Sequence, residues 1–413
     1  MGYVPRTGWQ DTYDLDMSRR LPPGVTPLCV LVTGVLAGGL LHGGSAHAHA
    51  DPSRPSAAER GPATLVQESA TARLRADGSL SDVAGLSKSN VWAVGQEDVW
   101  EAWQNRGVIT HWNGSAWTEL GIRNDASGAG HLRSVAIASP REIWAVGDAH
   151  DGLPYVVRGD GSVFDRISVP EFGSGDWLGG VAAAPGRTVA VGARRGKPLI
   201  ATVTAKGWTV TAGKTAGTLY GVTPAGKGDS WAVGDGDGEP LIMKVSGGTA
   251  KPVKIPDIPG GFLRDVTAEG AKKAVAVGGV YHDDGGIAPL VLSWNGRRWS
   301  RARLPDRPAE LYGVTGDGKG HFWASGHDPG TPGQAFLLRG GAAGWKAVRG
   351  KAAGGSRTVR LLAVTHVGDL TMAVGHVVDA RDRYTDVVER FQPGATRAAA
   401  TGRTGRDTGP AAR

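Results

Sequence analysis

Cysteine is almost absent from this chain. Its one copy in 413 residues, Cys29, falls within an apolar N-terminal stretch. A disulfide framework, a thiolate metal site and a cysteine nucleophile are thereby excluded for everything that follows it. Beyond the N-terminus no sustained three-to-four spacing of apolar residues occurs, so long amphipathic helices are excluded as well. Catalytic signatures are missing too: there is no HExxH, phosphate loop, GxSxG or SxDxGxxW. Strong basicity is a further absence. The net charge is +7, of which the tail after Phe391 supplies +3 and the first 63 residues none. What remains is too little to imply nucleic acid as a partner.

Glycine and tryptophan, in contrast, are plentiful, with 66 and 14 copies. An all-β chain rich in tight turns would have this composition. The N-terminus has the three-part layout of a secretory signal: Arg19 and Arg20, an apolar run from Val25 to Leu41, then small residues up to Ala50. Residues 1–50 are therefore expected to be a signal peptide, with Met17 as its natural start; a membrane anchor is the alternative reading. Residues 51–63 read as a linker, and residues 392–413 as a disordered basic tail.

The dominant feature is repetition. "VWAVG" at Val91 returns as "IWAVG", "VAVG", "WAVG", "VAVG", "WASG" and "MAVG", ending at Gly95, Gly147, Gly192, Gly234, Gly278, Gly326 and Gly375. Each copy follows a Leu-x-x-Val, beginning at Leu80, Leu132, Leu178, Leu219, Leu263, Leu311 and Leu361, and the Val stands 11 or 12 residues before the glycine every time. A third apolar run comes next, then a turn, then a fourth strand opening with Trp117, Phe164, Trp208, Trp299 or Trp345. Four strands per repeat of 42 to 52 residues is the unit of a β-propeller blade. Leu and Val, three apart, are expected to point to opposite faces, and the tryptophans to pack between blades. "WNGSAW" and "WNGRRW" are expected to form two-residue type I′ hairpins.

The pattern "VWAVG … HWNGSAW" resembles the Trp-Ala-Val-Gly repeat β-propellers of secreted actinobacterial proteins, loosely akin to kelch and Asp-box propellers. The resemblance spans residues 64–391 and implies the fold; it carries no assigned activity. The expected fold is thus all-β, a seven-bladed β-propeller with four antiparallel strands per blade. The seventh repeat lacks a fourth strand, whereas "ATLVQES" precedes the first without a blade of its own. An N-terminal strand is expected to close the last blade.

Comparing the seven copies separates scaffold from variable positions. Loops after the repeat glycines gather on one face, the upper one, and carry a net charge of −8 despite the basic "ARRGK" of the third blade. Such a face favours cations or polar uncharged ligands over polyanions, although exposed turns favour Asp anyway. On it stand Asp148, Asp235, His327 and His376, each just after a repeat glycine. Arg133, Tyr220, Arg264 and Tyr312 follow the first-strand Leu near the axis, where they either contact a ligand or plug the channel. Trp100, Trp103 and Trp177 lie outside the repeating tryptophan positions and suit sugar stacking, although singly placed surface aromatics are also normal. Asp235, Asp237 and Glu239 of "SWAVGDGDGEPLI" are expected to pair with Arg194, Arg195 and Lys197 rather than to hold calcium.

Neither a cofactor nor a metal is expected. The leading expectation is a secreted, monomeric, non-catalytic scaffold that binds an extracellular protein or glycan through the upper-face residues Arg133, Asp148, Trp177, Tyr220, Asp235, Arg264, Tyr312, His327 and His376. The alternative is an extracellular hydrolase or lyase acting on saccharide at the central funnel.

Overall fold

The computed structural model describes residues 65–101, 104–204, 207–352 and 354–393. The expected signal segment, the linker, Cys29, Trp103 and the tail from residue 394 lie outside the described residues. No helix occurs among the described residues; the chain forms seven separate antiparallel sheets of four strands. Their inner strands are Ser79–Ser87, Ala129–Ser139, Asp176–Ala184, Thr218–Pro224, Gly261–Ala268, Glu310–Gly316 and Thr358–Val367. Each inner strand packs on the next and the last packs on the first, so the seven blades close into a ring. The protein is a seven-bladed β-propeller. Blade 2 gains a fifth strand, because Ile122–Arg123, on the way in from blade 1, pairs in parallel with Phe164–Arg166.

Ring closure follows the expected route. Strand Leu65–Ala70 pairs antiparallel with Tyr384–Pro393, in register from Leu65↔Pro393 to Ala70↔Val388. Side chains sew the seam: Gln67 donates to Glu389 at 2.5 Å and accepts from the Lys351 amide at 2.6 Å. Asp386 accepts from the amides of Ala72 and Leu74 at 2.5 and 3.2 Å. The first described strand is thereby held to the last by a complete ladder, which covers the outer edge of Tyr384–Pro393.

Seven hydrophobic clusters hold the blades together, one per interface. In each, the Trp of the repeat or its replacement meets the Leu and Val of the next blade's inner strand, joined in every blade but the sixth, which has Ser325 there, by the Val two residues on. Trp231 and Val233, for example, pack on Leu263 and Val266. Trp92, Trp144, Trp231 and Trp323 are at most 6% exposed, and each stabilises its interface by upwards of about 2 kcal/mol. Val189, Val275 and Met372 take the same place in blades 3, 5 and 7.

Leu and Val share one face of each inner strand, contrary to the expectation from simple alternation. The reason is a β-bulge that recurs in all seven copies. Register jumps between Leu80 and Asp82, Leu178 and Gly180, Leu219 and Gly221, and likewise in the other four blades. One extra residue after the Leu restores Val to the Leu face. The bulge also explains the repeat glycines. A Cβ added to any of the seven would lie 1.7 to 2.1 Å from the carbonyl oxygen of the residue before the Leu. No side chain fits there.

The Asn-Gly turns differ from expectation as well. Trp112 pairs with Trp117 and Trp294 with Trp299, leaving four-residue loops. Gly114 and Gly296 have positive φ, but Asn113 and Asn295 do not. Each Asn instead uses its side-chain oxygen to accept from the second and third amides ahead at 2.9 to 3.0 Å, an Asx turn that makes a second positive φ unnecessary. Two-residue type I′ geometry appears in the variable upper loops: Arg195-Gly196, at φ 51° and 74°, and Asp237-Gly238, at 55° and 79°. "SWAVGDGDGEPLI" is such a hairpin, closed by Gly236↔Glu239.

Candidate ligand-binding face

The bulge decides what reaches the mouth of the axis. It presents the residue just after the first-strand Leu, while the residue just before that Leu lies opposite the one that follows the repeat glycine. Trp177 faces Ala193, Thr218 faces Asp235, Glu310 faces His327 and Arg360 faces His376. Flanking positions from neighbouring inner strands then meet around the funnel.

Their contacts run from blade to blade. Ser81 of blade 1 hydrogen-bonds His131 of blade 2 at 2.7 Å. The Arg133 guanidinium lies 5.1 Å from the ring centre of Trp177, and pairs with Asp148 at 2.5 Å. Trp177 meets Tyr220 edge-on at 5.8 Å, and Arg264 stands 5.0 Å over the Tyr220 ring. Arg264 also lies 4.7 Å from the Phe262 ring and 3.6 Å from Glu310, which accepts from the Tyr312 hydroxyl at 2.9 Å. Phe262 stacks on Tyr281 at 4.9 Å. His376 of blade 7 returns to blade 1 through Ser79 at 2.8 Å. The structure thus joins Arg133, Asp148, Trp177, Tyr220, Arg264 and Tyr312 into one arc of alternating guanidinium and aromatic groups, in which each cation–π contact contributes about 0.5–2 kcal/mol.

The other predicted residues lie beside this arc. Asp235 sits on the rim, near enough to Tyr281 for its charge to act on that phenol. His327 turns Nδ1 to the Val359 carbonyl at 3.1 Å, so that nitrogen carries the proton. Burial lowers its pKa. His376 is 1% exposed, and burial together with the nearby Arg360 charge pushes its pKa down to about 3. Burial raises Tyr312 well above the usual phenol range and Tyr281 to about 12. Among the described residues, no group of three or more His, Asp, Glu or Cys side chains could hold a metal ion.

Two expectations need correcting. The basic loop of blade 3 does not pair with the acidic turn of blade 4: Arg194 forks onto Asp176 at 2.8 and 2.6 Å and onto the Glu171 carbonyl at 2.8 Å, while Glu239 lies against Asp257. Trp100 is not a free surface ring either. It is 50% exposed but donates to the Asp382 carbonyl at 3.0 Å and packs edge-on against Tyr384 at 5.4 Å, bridging blades 1 and 7.

Residues that sequence comparison passed over are Phe262, Tyr281, Glu310 and Arg360. All but Tyr281 immediately precede the first-strand Leu, and that position was as variable across the copies as the one following it. A layer below, Asp82 and Asp265 reach from one blade to the next. Asp82 accepts from the Val135 amide and the Ser134 hydroxyl at 2.8 Å each, and Asp265 from the Val314 amide at 2.8 Å. Burial lifts their pKa values to about 6 and about 7, the Asp82 charge adding to the shift at Asp265.

No family model matches the sequence, and no curated protein does. Solved structures do resemble it in fold. YCF48, solved bound to D1 peptide, is similar at a TM-score of 0.52 and 16% identity, over 82% of this chain and 99% of that one. U3-55K is similar at a TM-score of 0.52 and 11% identity, over 78% of this chain and 98% of that one. At these identities the likeness concerns the propeller alone.

Proposed function

We propose that this chain is a secreted, non-catalytic propeller scaffold of the Trp-Ala-Val-Gly repeat type that binds a protein ligand, as a peptide segment, or a glycan through its upper face. The observation that carries the reading is the arc from Arg133 through Trp177 and Tyr220 to Arg264. Planar groups held in place by one another offer a rigid, amphipathic surface that costs little conformational entropy on binding. Half-buried tyrosine, tryptophan and arginine are the side chains that dominate binding surfaces. That YCF48 is a propeller solved with a peptide is consistent with a peptide ligand.

The saccharide-hydrolase reading draws no comparable support. Asp148 is held by Arg133, and His376 is buried and neutral, so neither is poised as an acid or base at the funnel mouth. The discriminating experiment screens the full-length chain against peptide and glycan arrays, beside a Trp177→Ala, Tyr312→Ala variant of unchanged unfolding midpoint. Array binding that falls at least tenfold in the variant is expected. Equal binding by both proteins would overturn the upper-face assignment.

A further inference from the structure

Three arginines flank the inner-strand leucines around the funnel, and two of them have a carboxylate. Arg133 has Asp148, and Arg264 has Glu310. Arg360 of blade 7 is the exception: among the described residues no carboxylate lies within ion-pairing distance of its guanidinium, and its Nε is buried without a hydrogen-bond partner. Its cross-strand neighbour is His376, whose Nε2 is also buried without a partner. His327, from blade 6, is fastened to the Val359 carbonyl, one residue from Arg360. The charge of Arg360 acts on both histidines and on Tyr312.

We propose that Arg360, with His376 and His327 beside it, is a binding site for a carboxylate group of the partner that docks on the upper face. The inference rests on the protein-binding reading above and names the chemical group recognised. A half-buried guanidinium without a counter-charge is unfavourable, and its planar fork matches a carboxylate in two parallel hydrogen bonds.

The acids of the neighbouring elements are already committed. Glu310, on the blade 6 inner strand, is held by Arg264 and Tyr312. Asp328, which follows His327, is held by Arg349, by Arg307 at 3.6 Å and by the Gly330 amide at 2.8 Å. Asp386, opposite His376 on the third strand, takes the Ala72 and Leu74 amides. The Tyr384 ring lies 4.7 Å from that of His376. One cation beside two neutral imidazoles, inside a rim with Glu310, Asp328 and Asp235, suits a monoanion and disfavours a phosphate dianion. The same charge disfavours a metal cation on the two histidines. By linkage, an anion bound there raises the histidine pKa values, so binding tightens as pH falls.

The test is an NMR titration of the full-length chain, labelled at histidine, with sodium acetate against sodium chloride at equal ionic strength. Acetate is expected to raise the pKa of His327 by about one unit, leaving the more distant His111 unchanged. Arg360→Gln should abolish the shift, and Arg360→Lys should keep part of it. Three short peptides then identify the source: one with a glutamate and blocked ends, one neutral with a free C-terminus, and one neutral with blocked ends. Binding of the first or second at least tenfold above the third supports a side-chain or a terminal carboxylate respectively. No acetate shift in the wild type, or an equal shift in Arg360→Gln, overturns the proposal. If all three peptides bind alike and lose affinity only on Trp177→Ala, the carboxylate site falls while the protein-binding reading stands.

Discussion

Replacing Gly234 by alanine tests the bulge, on which both the blade packing and the funnel rest. An added Cβ would sit 1.8 Å from the Thr218 carbonyl oxygen, 2.8 Å from its carbon and 2.9 Å from the Leu219 Cα. Ordinary contact would require the strand to retreat by more than an ångström, and that strand carries Leu219, which is 0% exposed at the interface with blade 3. Overpacking of this kind costs about 1–3 kcal/mol, and partial loss of the Leu219 contact adds about 1–2 kcal/mol, so a total of about 2–5 kcal/mol is expected. Gly173→Ala is the control, because nothing lies within 4 Å of its added Cβ and its φ is not in the left-handed region. Its effect should lie between zero and a gain of about 1 kcal/mol. Urea unfolding followed by tryptophan emission measures both, with stability read from the midpoints at constant slope. If Gly234→Ala cost less than about 1 kcal/mol, the steric account of the repeat glycines would be refuted.

Other outcomes follow from the same geometry. His376 has a folded pKa near 3, below its unfolded value, so its contribution is complete above about pH 6.5 and falls by ~1.4 kcal/mol per unit as pH drops toward 3; His376→Gln should flatten that acid limb of the melting temperature. Asp82 and Asp265 have the opposite sign. Their folded pKa values of about 6 and about 7 lie above the unfolded carboxyl value, so stability is full below about pH 4 and declines as pH rises through 6 to 7. Asp265→Asn should remove part of that decline, and an unchanged slope in the variant would contradict the assignment. A chain lacking the strand Leu65–Ala70 exposes the Tyr384–Pro393 edge; limited proteolysis should then cut blade 7 at least tenfold faster than in the intact chain.

Much of the fold was legible because each blade repeats one hydrophobic pattern, and seven copies average away local accidents. Leu80 through Leu361, the tryptophans and the spare strand at residues 65–70 gave blade number, strand count and closure. The bulge was hidden. A Leu-x-x-Val spacing of three reads as opposite faces unless one residue is known to be unpaired, and sequence does not mark which one. The fixed glycine was the available clue, since no turn requires it in the middle of a hairpin ladder. Missing the bulge hid part of the funnel: Tyr220 and Arg264 were found, and Trp177 for its residue type alone, but Phe262, Glu310 and Arg360, which like Trp177 precede the repeat leucines, were not. Pairing was less legible still, because Arg194 had Asp176 across its own hairpin, a nearer acid than the turn of the next blade.

The most direct test of upper-face recognition is the affinity of selected peptides for this face. Peptides enriched from a random displayed library on the full-length chain would be synthesised, and their dissociation constants measured for the wild type and for a Trp177→Ala, Tyr220→Ala variant that keeps its unfolding midpoint. Removing two central aromatic groups of a binding surface typically weakens binding by about 2 kcal/mol or more, so a loss of at least about thirtyfold is predicted. Equal affinity for both proteins would contradict it.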